Sequence, residues 1–261
     1  MEVVRLRAFA DNYIWGLRHQ GKLAVVDPGD AAPVKEYLAQ SGDQLVAILL
    51  THHHDDHTGG TADLCNQGDV IVFGAREEQV PQVTHGLQGG ETIHLPGFGE
   101  EGELAVLPVP GHTRAHLAYY RPGMVFCGDT LFTLGCGRLF EGSPAQMMDS
   151  LARLATLPGD TQVYCAHEYT YLNLPFALEI EPTNLALQQR AAVLKEKIRT
   201  GIPTVPDTLS AERETNVFLR TDQPEVIASA ERIAGTALPT PLAVFTALRE
   251  WRNQYKPPVI I

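Results

Sequence analysis

The sequence predicts an α/β protein in two parts: a mixed α/β domain over residues 1–167 and a smaller α-helical domain over 168–261. Three observations lead there. Seven short runs rich in Val, Leu and Ile recur before residue 168, with the continuous apolar character of strands inside a sheet. Turns and helical patches separate these runs. Beyond His167 the spacing becomes helical, and the remaining strand signal is the short "NVFLR" (216–220). With 261 residues, 44% of them hydrophobic, the chain can form one large core or two modest ones.

The first strand candidate is "KLAVVD" (22–27). "DAAPVKEYLAQSG" (30–42) reads as a helix stopped by Gly42, since glycine suits the left-handed turn after a helix. Strands "LVAILL" (45–50), "VIVFG" (70–74), "LAVLPVP" (104–110), "LAYYR" (117–121) and "MVFCGD" (124–129) follow. "SPAQMMDSLARLATLPG" (143–159) is a helix that Ser143 can cap and Pro144 can open. "QVYCAH" (162–167) ends the series of strands. In "TNLALQQRAAVLKEKIRTG" (183–201), Leu187, Ala191, Leu194 and Ile198 share one helical face. "QPEVIASAERIAG" (223–235) and "TPLAVFTALREWRNQY" (240–255) are two more helices, the second with Thr240 as cap and Pro241 in its first turn.

A formal net charge of −11 argues against a general nucleic-acid binder. An anionic ligand would have to be held by local Arg or Lys against that field. Cys65, Cys127, Cys136 and Cys165 form no C-x-x-C pair. Cys127 and Cys165 lie in apolar runs and read as buried free thiols, a usage that suits a reducing compartment. "MEVVRLRAFADNY" lacks the apolar core of a signal peptide, and no run approaches the roughly 18 apolar residues of a membrane span. The expectation is a soluble, cytoplasmic protein.

The chemistry concentrates in "LLTHHHDDHTGG" (49–60), where residues 52–57 are four histidines and two aspartates directly after a strand candidate. In extended chain, residues two apart face the same way, so His52 and His54 can converge while His53 faces elsewhere. Neutral imidazoles ligate zinc and similar ions. Asp56 and His57 follow where the chain should turn into a helix, placed for a second ion beside the first. A histidine run alone can be a solvated loop, and a lone histidine on an apolar strand is most often a satisfied core residue. Here three more strand candidates run out at His112, Asp129 and His167. Loops at one edge of an α/β sheet converge on the ligand site, so four such endings point to a metal centre built from separate loops.

"THHHDDH", with "VDPG" (26–29), "PGHT" (110–113) and "CGDT" (127–130), resembles the metallo-β-lactamase superfamily. The resemblance implies a four-layer α/β/β/α sandwich with metals at one edge of the sheets. It implies that His52, His54 and His112 hold one ion, that Asp56, His57 and His167 hold the other, and that Asp129 bridges them. Asp56 and Asp129 are the expected catalytic carboxylates. Asp55 departs from the pattern, where this position is often bulky or histidine, and adds a negative charge near the centre. Two divalent cations should ionise a shared water near neutral pH, which makes a hydrolase that needs no serine or cysteine nucleophile. No G-x-S-x-G elbow appears in the chain. His116, in "GHTRAH", reads as structural, holding the His112 loop.

"GCGRLFEG" (135–142), "AHEYT" (166–170), "TNVFLR" (215–220) and "LREWRNQYK" (248–256) together resemble glyoxalase II, the hydroxyacylglutathione hydrolase family, from "DNYIW" (11–15) to the last helix. The resemblance implies hydrolysis of the thioester S-D-lactoylglutathione to glutathione and D-lactate, the second step of methylglyoxal detoxification, with the helical domain covering the substrate. It implies glutathione contacts from Arg138, Phe140, Tyr169, Arg249 and Arg252. Arg249 and Arg252 are three apart and so share a helical face. Some members carry Lys and Tyr where this chain has Arg138 and Phe140: the charge is kept, but Phe140 donates no hydroxyl hydrogen bond. The expected cofactors are two divalent ions, zinc first, with iron and manganese also compatible with His and carboxylate ligands. The expected partner is the glutathione thioester alone, with no nucleic acid and no membrane, and the expected state is a monomer. The rival in the same superfamily is a single-iron persulfide dioxygenase.

Overall fold

Twelve of the strands pair into two six-stranded sheets in the computed structural model, which describes residues 1–66 and 68–256. The first sheet holds, in spatial order, β1 (Glu2–Ala8), β2 (Asn12–His19), β3 (Lys22–Val26), β4 (Gln44–Leu49), β5 (Ile71–Ala75) and β6 (His85–Leu87). The second takes β7 (Thr92–His94), β8 (Glu103–Pro108), β9 (Leu117–Arg121) and β10 (Met124–Gly128). A small hairpin of β11 (Leu131–Phe132) and β12 (Gly135–Cys136) stands apart, and β13 (Gln162–Cys165) and β14 (Asp207–Thr208) complete the second sheet beyond β10. All seven strand candidates are strands. β1, β2, β6 and β7 had no sequence signal of comparable strength.

Helices α1 (Ala31–Ser41), α2 (Asp55–Thr58) and α3 (Thr61–Cys65) belong to the first half. Val34 of α1 and Leu64 of α3 pack with Ile14, Leu23, Val25, Ile48 and Val72 on the outer face of the first sheet. The larger core lies between the sheets, where Trp15, Leu17, Ala24 and Leu49 meet Leu104, Val106, Tyr119 and Phe126. It continues into α4 (Pro144–Ala155) through Met147, Leu151 and Leu154. The layers are therefore helix, sheet, sheet, helix, the expected sandwich. Asp30 caps α1, and Gly42 ends it at φ 71°. Ser143 caps α4 with Gln146 bonded back to the cap, although α4 stops at Ala155, short of residue 159.

Five more helices follow: α5 (Thr170–Ile180), α6 (Leu185–Arg199), α7 (Leu209–Thr215), α8 (Pro224–Ala234) and α9 (Pro241–Gln254). Leu187, Ala191 and Leu194 are the buried face of α6, as their spacing predicts. "NVFLR" is not a strand: Val217–Leu219 form a short 3-10 turn, with the Asn216 side chain accepting from Phe218 N at 3.1 Å. Asn216 spends its own amide on Phe132 O and Gly135 O, at 3.2 and 3.0 Å, so the segment is a clamp on the β11–β12 hairpin. No described helix is long and apolar enough to cross a membrane.

Two parallel pairings set up the site. β3 runs beside β4, with Val26 opposite Leu49, so Asp27 and Thr51 leave the first sheet together. β10 runs beside β13, with Gly128 opposite Cys165, so Asp129 and His167 leave the second sheet together. Leu117 N donates to Thr51 O at 2.8 Å and joins the two exits. Gly128 has φ 48°, and a Cβ there would lie 2.3 Å from Thr51 Oγ1, so only glycine lets the sheets approach this closely.

Candidate metal centre

All seven residues expected to hold metal gather at this sheet edge, from the loops after β4, β8, β10 and β13. His52 Nε2 and His112 Nε2 each stand 3.0 Å from His54 Nδ1. His57 Nε2 and His167 Nε2 stand 3.5 and 3.4 Å from Asp56 Oδ2. Asp129 lies between: Oδ1 is 3.5 Å from His57 Nε2 and 3.3 Å from His167 Nε2, and Oδ2 is 3.5 Å from His112 Nε2. Each carboxylate oxygen thus addresses a different trio of ligands.

The outer ring nitrogens show which tautomers the site needs. His52 Nδ1 is 3.0 Å from Thr51 Oγ1, whose hydroxyl donates to Asp27 Oδ2 at 2.7 Å. His57 Nδ1 reaches Asp27 Oδ2 at 3.0 Å, His112 Nδ1 reaches Arg138 O at 2.8 Å, and His167 Nδ1 reaches Asp11 Oδ1 at 2.9 Å. In its neutral form each of these four rings carries its proton on Nδ1 and turns the Nε2 lone pair inward, the arrangement of a metal-ligating imidazole, while His54 presents Nδ1 instead. Buried His57 Nε2 and Asp129 Oδ1 have no hydrogen-bond partner among the described residues. Buried orphan acceptors facing one another are costly unless a cation sits among them, so the residues fit two metal ions.

Electrostatics agree. Burial pushes His52 well below the ordinary imidazole range, and it also lowers His54 and His112, so the first trio is neutral and ready to ligate. Burial is the largest influence on His57 and His167 and would lower both, but the surrounding carboxylates together outweigh it: Asp129, Asp27 and Asp56 at His57, and Asp129, Asp11 and Asp56 at His167. The second trio thus favours positive charge, and protons compete there with a metal ion. Burial works to raise the Asp129 carboxyl, yet His167 and His57 hold it ionised, well below the carboxylate range.

Several partners escaped the sequence reading. Asp27 and Asp11 orient His57 and His167, and Asn12 Nδ2 donates to Asp56 Oδ2 at 3.0 Å. Their signals lay in "VDPG" and "DNYIW", legible as motifs but not as roles. His116 does more than close its own loop: its Nε2 accepts from Asp129 N at 3.2 Å. Asp55 is exposed on α2 and points no ligand atom into either trio.

A cleft of about 470 Å³ opens over the centre. His112, Asp129, Phe132 and Cys136 line its floor side, with Asp11, Arg138, Phe140, Tyr169, Asn173, Arg249 and Arg252 among the residues around it. Tyr169 stacks on His167, with ring centroids 4.5 Å apart and planes 7° apart. Phe140 is 60% exposed and stands edge-on to His54 and His112. Arg249 is buried. It donates to Cys136 O at 2.7 Å and Asn253 Oδ1 at 3.0 Å, while its Nε has no partner. Arg252 donates to Asn173 Oδ1 at 3.0 Å. Burial, then Arg249 and Arg138, lower Arg252 from its ordinary value. No carboxylate among the described residues pairs with any of these three guanidiniums, although Asp11 and Asp129 line the same cleft.

Family models match in two stretches: the metallo-beta-lactamase superfamily over residues 11–167 and the hydroxyacylglutathione hydrolase C-terminus over 168–255. The chain is 51% identical to the hydroxyacylglutathione hydrolase of Aeromonas hydrophila, covering 97% of this chain and 99% of that one. It is 47% identical to that of Nitrosomonas eutropha, over 98% of this chain and all of the relative. This chain belongs to the hydroxyacylglutathione hydrolase family. Solved structures agree on the fold. ETHE1 from Myxococcus xanthus superposes at a TM-score of 0.65 with 23% identity, covering 97% of this chain and 98% of that one. A chain solved in a di-iron-bound form superposes at 0.54 with 28% identity, over 64% of this chain and 92% of its own.

Proposed function

We propose that this family member hydrolyses 2-hydroxyacylglutathione thioesters, S-D-lactoylglutathione first among them, to glutathione and a 2-hydroxy acid. The observation that carries the reading is one cleft over a three-histidine group and a facing Asp/His/His group, with Asp129 between them and three guanidiniums without carboxylate partners on its wall. In this reading His52, His54 and His112 hold one metal ion, Asp56, His57 and His167 the other, and Asp129 serves both. Zinc is the first choice, and the di-iron form of a structural neighbour keeps iron beside it, with manganese third. Residues 1–167 act as the metal-binding catalytic domain and 168–261 as the glutathione-binding domain, set in the reducing cytoplasm that the free, buried thiols suit.

The two ions would supply Lewis acidity and an ionised water at neutral pH. The chain's own groups do the rest. Arg249, Arg252 and Arg138 bind the carboxylates of glutathione and fix the thioester over the floor. The Tyr169 phenol, pushed up to about 12 by burial, keeps its proton at neutral pH and can donate a hydrogen bond. Phe132 and Phe140 supply apolar walls that keep bulk water from the acyl group. Asp129 holds its orientation through the Asp129 N to His116 bond. The departing thiolate of glutathione needs no general acid, since a thiol pKa lies near about 8.5.

The test is turnover of S-D-lactoylglutathione against a lactoyl thioester that lacks the glutathione carboxylates. The reading expects efficient loss of the first thioester without oxygen uptake, and kcat/KM at least about tenfold lower for the second, as losing a charge-assisted contact implies. Equal kcat/KM for the two, or no cleavage of any glutathione thioester by the metal-loaded protein, would overturn it.

A further inference from the structure

His53 is the histidine of the 52–57 run that neither trio uses. It turns away from the floor and meets Glu78, which lies in the single 3-10 turn Arg76–Glu78 after β5. The Glu78 side chain is 3% exposed. Its two oxygens take four donors. Oε2 accepts from His53 N at 3.1 Å and contacts His53 Nδ1. Oε1 accepts from Thr113 Oγ1 at 2.7 Å and Ala115 N at 3.1 Å. One buried carboxylate therefore ties the loop of His52 and His54 to the loop of His112. On its far side, His53 Nε2 lies 3.3 Å from Glu141 Oε1, and Glu141 Oε2 accepts from Arg114 N at 3.2 Å. The tie thus reaches the segment that carries Arg138 and Phe140.

The asymmetry of the site gives this contact a specific consequence. The trio His52, His54 and His112 comes only from the two loops that Glu78 joins, and the ring nitrogens of His52 and His112 meet only at His54. The trio Asp56, His57 and His167 is supported by Asn12 and Asp11, and by Asp27, which also holds His52 through Thr51; no hydrogen bond from Glu78 reaches it. We propose that Glu78 is a positioning residue for the first metal site alone: it fixes the separation of the two loops and thereby sets the affinity of the His52/His54/His112 site, leaving the second site unchanged. Removing it leaves Thr113 and two backbone N–H groups without their acceptor, and the His112 loop loses its anchor to the His52 loop. Partners bonded directly to a metal ligand are worth about 10–100-fold in metal affinity, and Glu78, which bonds the chain neighbours of His52, His54 and His112, is assigned the same range. The inference rests on the two-ion reading of the centre.

The experiment titrates full-length metal-free protein with zinc against a chromophoric chelator, reading two binding steps. His112→Ala and His167→Ala identify which step belongs to which site. Glu78→Ala should weaken the His112 step about 10–100-fold and leave the His167 step in place. Glu78→Gln keeps the side-chain volume, guards against simple loss of the fold, and should show the same selective loss. Glu78→Asp, with the carboxylate kept, should recover part of it. Asp43→Asn, which breaks the distant Asp43–Arg18 pair, serves as a control for general destabilisation and should alter neither step. If the wild type lacks two steps, the two-ion reading itself fails. If the wild type has two and the Glu78 variants keep both, or weaken both alike, the positioning role falls and the two-ion reading stands.

Discussion

At the scale of single residues, each ring's function is set by what its far nitrogen touches. A histidine that hands its Nδ1 proton to Asp11, Asp27, Arg138 O or Thr51 Oγ1 is left with a lone pair for the floor. The spacing in "THHHDDH" was enough to expect His52 and His54 on one side and His53 on the other, since extended chain alternates its faces. The supporting partners were not legible, because Asp11 and Glu78 approach from remote segments of the chain. Asp129 addresses both trios, so Asp129→Ala should lower metal content below one ion per chain and abolish turnover; a variant with full metal and full activity would refute its shared role. Phe140 faces the cleft beside the His54 and His112 rings without a polar atom. Phe140→Tyr adds a hydroxyl at the same place, and a new hydrogen bond of about 1 kcal/mol should lower KM about fivefold with kcat unchanged. Steady-state kinetics at fixed metal loading would check it.

At the scale of elements, the sequence was clearest where an element has one strong pattern. The seven strands were readable from their apolar runs, the buried face of α6 from its period, and α8 and α9 as helices without an assigned face. α5 was missed because its residues are apolar on most sides and Pro175 lies inside it, a residue that ordinarily ends a helix. "NVFLR" was misread because its β-branched and aromatic residues suit a strand, whereas the Asn216 side chain turns the backbone and grips the hairpin. α7 reinforces that grip. Buried Glu212 accepts from Leu134 N at 2.9 Å and from Asn216 Nδ2 at 2.9 Å, and pairs with Arg190. Glu212→Ala would leave the largely buried Arg190 paired with Asp207 but take the acceptor from Leu134 N and the Asn216 amide, loosening the hairpin that leads to the substrate loop. A loss of about 2–3 kcal/mol in denaturant unfolding is expected from those unsatisfied buried donors. A loss below about 1 kcal/mol would show that the clamp is not structural.

At the scale of the whole molecule, a chain of formal charge −11 concentrates three guanidiniums without carboxylate partners around one cleft. Net charge kept nucleic acid out of the reading, and only the folded chain shows where the cations collect. The surface also carries a pH-dependent pair away from the site. A hydrogen bond from Arg18 lowers the Asp43 carboxyl from its ordinary value, so the pair adds stability above the unfolded carboxylate value, near about pH 4, and loses it as pH falls through the folded value. Asp43→Asn should therefore lower stability at neutral pH and flatten the acid side of the stability curve. In the proposed reading metal ions bind only the assembled floor, so chelation should lower the melting temperature, and free zinc at about 100 times its Kd should restore about 2.7 kcal/mol. The central claim, that two ions at this floor carry out the hydrolysis, is tested most directly by turnover of S-D-lactoylglutathione against metal ions counted per chain during stepwise reconstitution. The account predicts activity that is absent without metal and reaches its plateau at two ions per chain; full turnover in metal-free protein would contradict it.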